Sequence, residues 1–174
     1  IRNHLRLSNK NKLISVIARL QRWKGQDIFL RAVSLIAKSH PDARFCLVGG
    51  ALFGMEEDYP DELKRLINEL GLTDRCWLVG HQENSRDWIS ASDIIVHPLR
   101  IVDAGAVVLR EAMVLGKPVV ATSNGATLEF IADGVSGILC QPNSPVDLAD
   151  KITKLLDNED LADLFYKFIS IWKV

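Results

Sequence analysis

Two acidic residues, Asp103 and Glu111, are separated by seven residues in a segment that could form a ligand-binding site. The segment lies between two β-branched runs, at 93–98 and 117–122, which are typical of buried parallel strands. In an open α/β sheet, ligands bind beyond the carboxyl ends of the strands, where loops meet helix N-termini. Two acids at such an edge would suit a ligand that carries hydroxyls and phosphates.

Two basic residues, Arg19 and Lys24, follow the first predicted strand, at 12–18. Their loop opens onto the same sheet edge and precedes a predicted helix. Two cations beside a helix N-terminus are suited to a diphosphate. Solvated loop charges are an equally good interpretation of the pattern, so position alone leaves both open.

Glu111 stands within an otherwise apolar helical run, so its carboxylate must face solvent or bind a partner. A ribose diol, which offers two hydroxyl donors, would satisfy it. The ordinary alternative is a surface salt bridge with Arg110 or Lys117.

Asp103 could be a plain helix-capping acid, which is the commoner role for an aspartate before a helix. Gly105 and Ala106 have small side chains, so the backbone N–H groups at this helix start could approach a phosphate closely.

The histidines and cysteines indicate structural roles. His97 ends a predicted strand and His81 follows another, and lone histidines in such places are more often structural than catalytic. Three widely spaced cysteines predict buried free thiols in a reducing compartment: Cys46, Cys76 and Cys140. No metal-ligand spacing, dinucleotide fingerprint or P-loop is present in the sequence.

Strand-like and helical patterns alternate along the chain, which predicts a three-layer α/β/α Rossmann-like domain with a six-stranded parallel sheet. Asp27 and Ser144 are predicted to cap the first and last of the major helices, and a terminal amphipathic helix is predicted over 159–174. The predicted strands are 12–18, 43–50, 76–80, 93–97, 117–122 and 136–140.

Bulk composition narrows the function classes. A length of 174 residues, with 48% apolar and 25% charged residues, predicts a single globular domain over 1–174. The net charge of −1, without a basic block, disfavours nucleic acid as a partner. The longest apolar runs are too short to span a bilayer. Because the chain begins with Ile1, we expect it to be a piece of a longer protein.

Four motifs, taken together and in order, resemble the C-terminal domain of the group 1 (family 4) retaining glycosyltransferases, which have the GT-B fold. They are IARLQRWKG at 17–25, ASDIIVHPL at 91–99, LREAMVLGKPVVATSNG at 109–125 and DGVSGIL at 133–139.

The resemblance implies a role for each matched position. Arg19 and Lys24 match the pair that binds the donor diphosphate. Asp103 and Glu111 match the two acids of the family's E-x7-E motif, with aspartate in place of the usual glutamate at the first. Glu111 would hold the ribose hydroxyls, and Asp103 would face the donor sugar.

The backbone of Gly105, Ala106 and Val107 would meet the phosphates, and the loop after Gly80 would border the base. The implied donor is a nucleotide sugar, most simply a UDP- or GDP-sugar, and neither a metal nor another cofactor is implied.

The resemblance also implies a missing N-terminal domain that binds the acceptor, so the isolated domain would transfer poorly. We expect a cytoplasmic enzyme, with peripheral membrane association through the missing domain as an option. Two alternatives remain: a non-catalytic nucleotide-binding or interaction domain, and a GT-B enzyme that epimerises sugar nucleotides.

Overall fold

The computed structural model describes residues 1–51, 54–103, 107–158, 160–161 and 165. The strands are β1 Lys12–Ile17, β2 Ala43–Val48, β3 Cys76–Gly80, β4 Ile94–His97, β5 Val119–Thr122 and β6 Ile138–Cys140. All six are parallel and form one sheet in the order β3-β2-β1-β4-β5-β6. The predicted six-stranded parallel sheet is therefore confirmed, and each strand lies within its predicted range.

Helices connect the strands on both faces of the sheet. They are α1 Gln26–Ile36, α2 Tyr59–Glu69, α3 Ser85–Ala91, α4 Val107–Val114, α5 Thr127–Phe130 and α6 Pro145–Leu156, and a 3-10 helix, Arg22–Lys24, precedes α1. Ser144 caps α6, since its hydroxyl accepts a hydrogen bond from the backbone N–H of Asp147, as predicted. Asp27 does not cap α1, because Gly25 occupies the cap position and Asp27 lies inside the first turn.

Successive side chains of a strand point to opposite sides of the sheet. Helices cover both sides, so each face of the sheet contributes to a core. In β1, Ile14 and Val16 join the core beneath α1, α2 and α6. Leu13 and Ile17 join a second core that includes residues of α3 and α4. The predicted terminal helix lies mostly outside the described residues, although Phe165 is fully buried in the first core.

All three cysteines are free and buried, as predicted. Burial raises the pKa of the Cys46 and Cys140 thiols to about 12, so both stay protonated at neutral pH. Within the described residues, no helix is both long and apolar enough to cross a membrane.

Candidate functional site

The strand order reverses between β1 and β4, which are neighbours in the sheet although two strands separate them in sequence. The loops after these two strands therefore run in opposite directions and leave a crevice at the carboxyl edge. This is the position at which open α/β sheets bind ligands. The loop after β1 carries Arg19 and Lys24, and the loop after β4 leads to Asp103.

These two loops are fastened together by the backbone. Gly25 has a φ of 73°, and a Cβ at this position would overlap the carbonyl oxygen of Pro98. The backbone N–H of Arg100 donates to the carbonyl oxygen of Trp23 at 2.9 Å. Only glycine permits both this φ and this approach, so Gly25 locks the short 3-10 helix against the end of β4.

Lys24 is the most constrained cation of the site. Its side chain is buried, Nζ lies 2.6 Å from Oδ2 of Asp103, and the ammonium sits 3.9 Å from the centre of the Trp23 ring. A charge-assisted hydrogen bond of this length is a strong one. The alternative that Lys24 is a solvated loop charge is therefore wrong, whereas Arg19 is exposed.

His97 ends β4 in the same region and is 2% exposed. Its pKa is lowered to about 4, chiefly by burial and also by the charge of Lys24, while the charge of Asp103 opposes the shift. The imidazole is therefore neutral at neutral pH. Its Nε2 has no hydrogen-bond partner among the described residues.

A pocket of about 390 Å³ opens beside this crevice, at the carboxyl ends of β1, β2 and β3. Arg19 and Glu111 both line it, together with the helix start at Val107. The volume is in the range of small-molecule sites, roughly 300–1,000 Å³. The residues of the lining are Ile17, Ala18, Arg19, Val48, Gly49, Gly50, Ala51, His81, Gln82, Ser85, Val107, Val108 and Glu111.

Glu111 presents a half-buried carboxylate to this pocket. Within the described residues its ion-pair partner is the Nε of Arg86, at 3.8 Å, and that arginine side chain is 73% exposed. The alternative partners do not pair with Glu111: Arg110 stacks over Phe130 and Lys117 donates to the carbonyl oxygen of Ser90. The carboxylate thus remains accessible to hydroxyl donors.

The predicted site residues fall into two neighbouring groups. Arg19, Val107 and Glu111 line the pocket, and Lys24 and Asp103 form the ion pair at the edge of the crevice. Gly80 ends β3 with a φ of 79°, which turns the chain into the loop that carries further pocket residues. Gly105 and Ala106 lie outside the described residues.

The loop after β3 contributes side chains that the sequence did not single out. Gln82 and Ser85 line the pocket, and the buried indole of Trp88 donates to Oε1 of Gln82 at 3.1 Å. His81, predicted to be structural, is an exposed pocket residue instead. A polar run directly after a strand-ending glycine was the available signal for all of them.

A larger groove, of about 550 Å³, lies between α1 and α2, away from these residues. Two of the arginines that line it already have acidic partners: Arg22 binds Asp58 and Glu62, and Arg100 binds Asp27. The smaller pocket therefore remains the better candidate, since its polar groups converge on open space. No group of three or more His, Cys, Asp or Glu within the described ranges could hold a metal ion.

Solved structures with the same fold include glycosyltransferases. Anabaena Alr3699/HepE, crystallised with UDP, matches 97% of this chain with a TM-score of 0.89 and 32% identity, and the match covers 45% of that chain. The C-terminal domain of the group 1 glycosyl transferase LpcC from Francisella tularensis matches 96% of this chain, with a TM-score of 0.84 and 26% identity. That match covers 86% of the LpcC domain.

Curated relatives are longer than this chain. It is 34% identical over 158 residues to the D-inositol 3-phosphate glycosyltransferase of Mycolicibacterium smegmatis, covering 90% of this chain and 35% of the relative. It is 31% identical to the lipopolysaccharide core mannosyltransferase LpsB of Rhizobium meliloti, covering 88% of this chain and 44% of that relative. The chain thus spans less than half the length of these curated relatives.

The family model for glycosyl transferases group 1 matches residues 1–169, nearly the whole chain. The six-stranded parallel sheet with its helices agrees with the fold of the matched structures. On this evidence the chain belongs to the group 1 glycosyltransferase family, with the Rossmann-like architecture of the GT-B enzymes.

Proposed function

We propose that this chain is the C-terminal, donor-binding domain of a retaining glycosyltransferase that takes a glycosyl group from a nucleotide sugar. One observation carries the proposal: Arg19 and Glu111 line one pocket beside the buried ammonium of Lys24, at the point where the sheet reverses its strand order. The carboxyl edge of the sheet thus carries two cations that could bind a diphosphate and a carboxylate that could bind a ribose diol.

Each group has a defined task in this proposal. Arg19 and Lys24 bind the diphosphate, and the start of α4 at Val107 adds the positive end of the helix dipole. Glu111 accepts hydrogen bonds from the two ribose hydroxyls. Asp103 faces the donor sugar.

The chemical step leaves negative charge on the departing diphosphate. Preorganised cations in a partly desolvated site stabilise developing charge more strongly than water does. Lys24 suits this task because Trp23 and Asp103 already hold its ammonium in place. A UDP- or GDP-sugar is the proposed donor, and the UDP complex of the 32% identical Anabaena protein supports the former.

The acceptor site belongs to the remainder of a longer protein, in keeping with relatives of more than twice this length. The domain alone would bind the donor nucleotide and transfer poorly. The buried free thiols support a reducing, cytoplasmic location, and any association with the inner face of a membrane would come through the rest of the protein.

Calorimetric titration with UDP, GDP, ADP and pyrophosphate tests the nucleotide assignment. At least one nucleotide should bind, and Lys24→Ala should weaken both it and pyrophosphate by roughly tenfold or more, the cost of one lost charge-assisted contact. Glu111→Gln should weaken the nucleotide but not pyrophosphate, because only the nucleotide has ribose hydroxyls for this carboxylate to bind.

Lys38→Ala, which removes an exposed lysine at the far end of α1, is the matched control and should bind like the wild type. If none of the three nucleotides binds the folded wild-type domain, the assignment is wrong.

Retention requires the longer protein and a product analysis by NMR. The anomeric configuration of the transferred sugar should equal that of the donor, and an inverted product would contradict this part of the proposal. Binding without any transfer would favour the non-catalytic alternative, and recovery of an epimerised donor would favour the epimerase.

A further inference from the structure

The side chain of Gln82 is held in one orientation by a buried tryptophan. Trp88 lies in α3, is 6% exposed and packs in the second core. Its indole Nε1 donates a hydrogen bond to Oε1 of Gln82 at 3.1 Å. An indole N–H can only donate, so the partner atom must be the amide oxygen.

This orientation decides which group the glutamine offers to a ligand. With the amide oxygen turned toward Trp88, the NH₂ group of the same amide points away from the indole. Gln82 lines the pocket that also contains Arg19 and Glu111. A side chain that usually offers either a donor or an acceptor is therefore biased toward donation.

Gln82 also lies at the end of the pocket that suits the nucleotide base. It follows β3, whereas Arg19 follows β1, and β2 lies between these strands. Adjacent strands are about 4.8 Å apart, so the two loops leave the sheet roughly 10 Å apart. That separation suits a nucleoside whose ribose lies at Glu111 and whose phosphates lie at Arg19.

We propose that Gln82 reads the nucleotide base and selects a base with an oxo group over its amino counterpart. This inference rests on the proposed function. The NH₂ of Gln82 donates to O4 of uracil or O6 of guanine. In cytosine or adenine an amino group takes that place, and two donors then face each other.

The size of the preference follows from the cost of leaving a desolvated donor without a partner. Such a mismatch weakens binding by roughly tenfold to a hundredfold. UDP and CDP form the sharpest comparison, because their bases differ in the oxo or amino group at C4 and in the protonation of N3. GDP and ADP give a second comparison in the purines.

The test is to measure the dissociation constants of UDP, CDP, GDP and ADP for the wild type and for Gln82→Glu. The wild type should bind UDP at least tenfold more tightly than CDP. In Gln82→Glu one carboxylate oxygen keeps the bond from Trp88, and the other can only accept, so the UDP-to-CDP preference should disappear or reverse. Gln141→Glu, at an exposed position after β6, is the matched control and should keep the wild-type ratio.

Trp88→Phe provides a second variant, since it frees the amide to rotate and should bring the UDP-to-CDP ratio toward one. The ratio does not depend on the fraction of folded protein, so a loss of stability from this core substitution leaves it readable. Equal binding of UDP and CDP by the wild type, or an unchanged ratio in Gln82→Glu, would overturn the inference alone. Absence of binding by all four nucleotides would overturn it together with the proposed function.

Discussion

At the level of single residues, the ion pair between Lys24 and Asp103 has a consequence for ligand binding. The pair neutralises the cation that the proposed function assigns to the diphosphate, at a separation of 2.6 Å. An anionic ligand at Lys24 must therefore approach a carboxylate as well as an ammonium. In a partly buried site, where solvent screens charges weakly, that carboxylate opposes binding.

We expect Asp103→Asn to bind UDP more tightly than the wild type, by roughly up to tenfold. The amide keeps the approximate shape of the side chain but removes the competing charge. Because UDP lacks the glycosyl group of the donor, titration with UDP measures this effect without the proposed contact between Asp103 and the donor sugar. Asp61→Asn, which breaks an exposed pair with Lys64 on α2, is the control and should leave binding unchanged.

If Asp103→Asn instead binds UDP as weakly as Lys24→Ala does, this expectation is wrong. Asp103 would then serve chiefly to orient the lysine.

Secondary structure elements were more predictable from the sequence than the contacts between them. The β-branched runs of β1 and β4 are local patterns, and the Ser144 cap is a local hydrogen bond, so both were correctly predicted. The prediction that Asp27 caps α1 was wrong, because Gly25 occupies the cap position, where it packs closely against the carbonyl oxygen of Pro98.

Long-range side-chain partners could not be predicted in the same way. Glu111 forms its ion pair with Arg86, which is distant in sequence, and not with Arg110 or Lys117. Gln82 is held by Trp88, whose indole packs in the second core and still donates to the glutamine side chain. Sequence patterns place such residues at the correct sheet edge, but they do not determine which rotamers meet there.

At the level of elements, Gly25 joins the 3-10 helix that carries Lys24 to the end of β4. Gly134 has the same φ of 73° but nothing within 4 Å of a built Cβ, so it provides a matched control. Alanine at either position must adopt a left-handed conformation, at a cost of about 1–2 kcal/mol. Only at position 25 would the methyl group also overlap a backbone oxygen.

Gly25→Ala should therefore destabilise the domain by about 1–3 kcal/mol more than Gly134→Ala does. It should also weaken UDP binding, since the helix must move away from Pro98 and carries Lys24 with it. Urea unfolding and UDP titration of the two variants measure these effects. Equal losses of stability and equal affinities would show that the approach of Gly25 to Pro98 is unimportant.

At the level of the whole molecule, the two cores meet across a sheet that is buried on both faces, and this burial includes the functional edge. His97 is the clearest case, because it belongs to β4 and lies beside the charged pair. Its pKa is about 4 in the folded protein, against about 6.5 in an unfolded chain. At pH values between these two pKa values, His97 therefore binds a proton in the unfolded chain but not in the folded protein.

The sign of the resulting pH dependence follows by linkage. Above about pH 6.5 the histidine is neutral in both states and has no effect, whereas between about pH 6.5 and 4 the unfolded state binds the extra proton and stability falls. The full loss is on the order of 3 kcal/mol, of which roughly 2 kcal/mol should appear between about pH 7 and 5. His97→Leu, which cannot titrate, should reduce the loss over that interval by about this amount in urea unfolding. His81→Leu, at an exposed histidine, should leave the loss unchanged, and an equally steep pH dependence in His97→Leu would mean that other groups cause it.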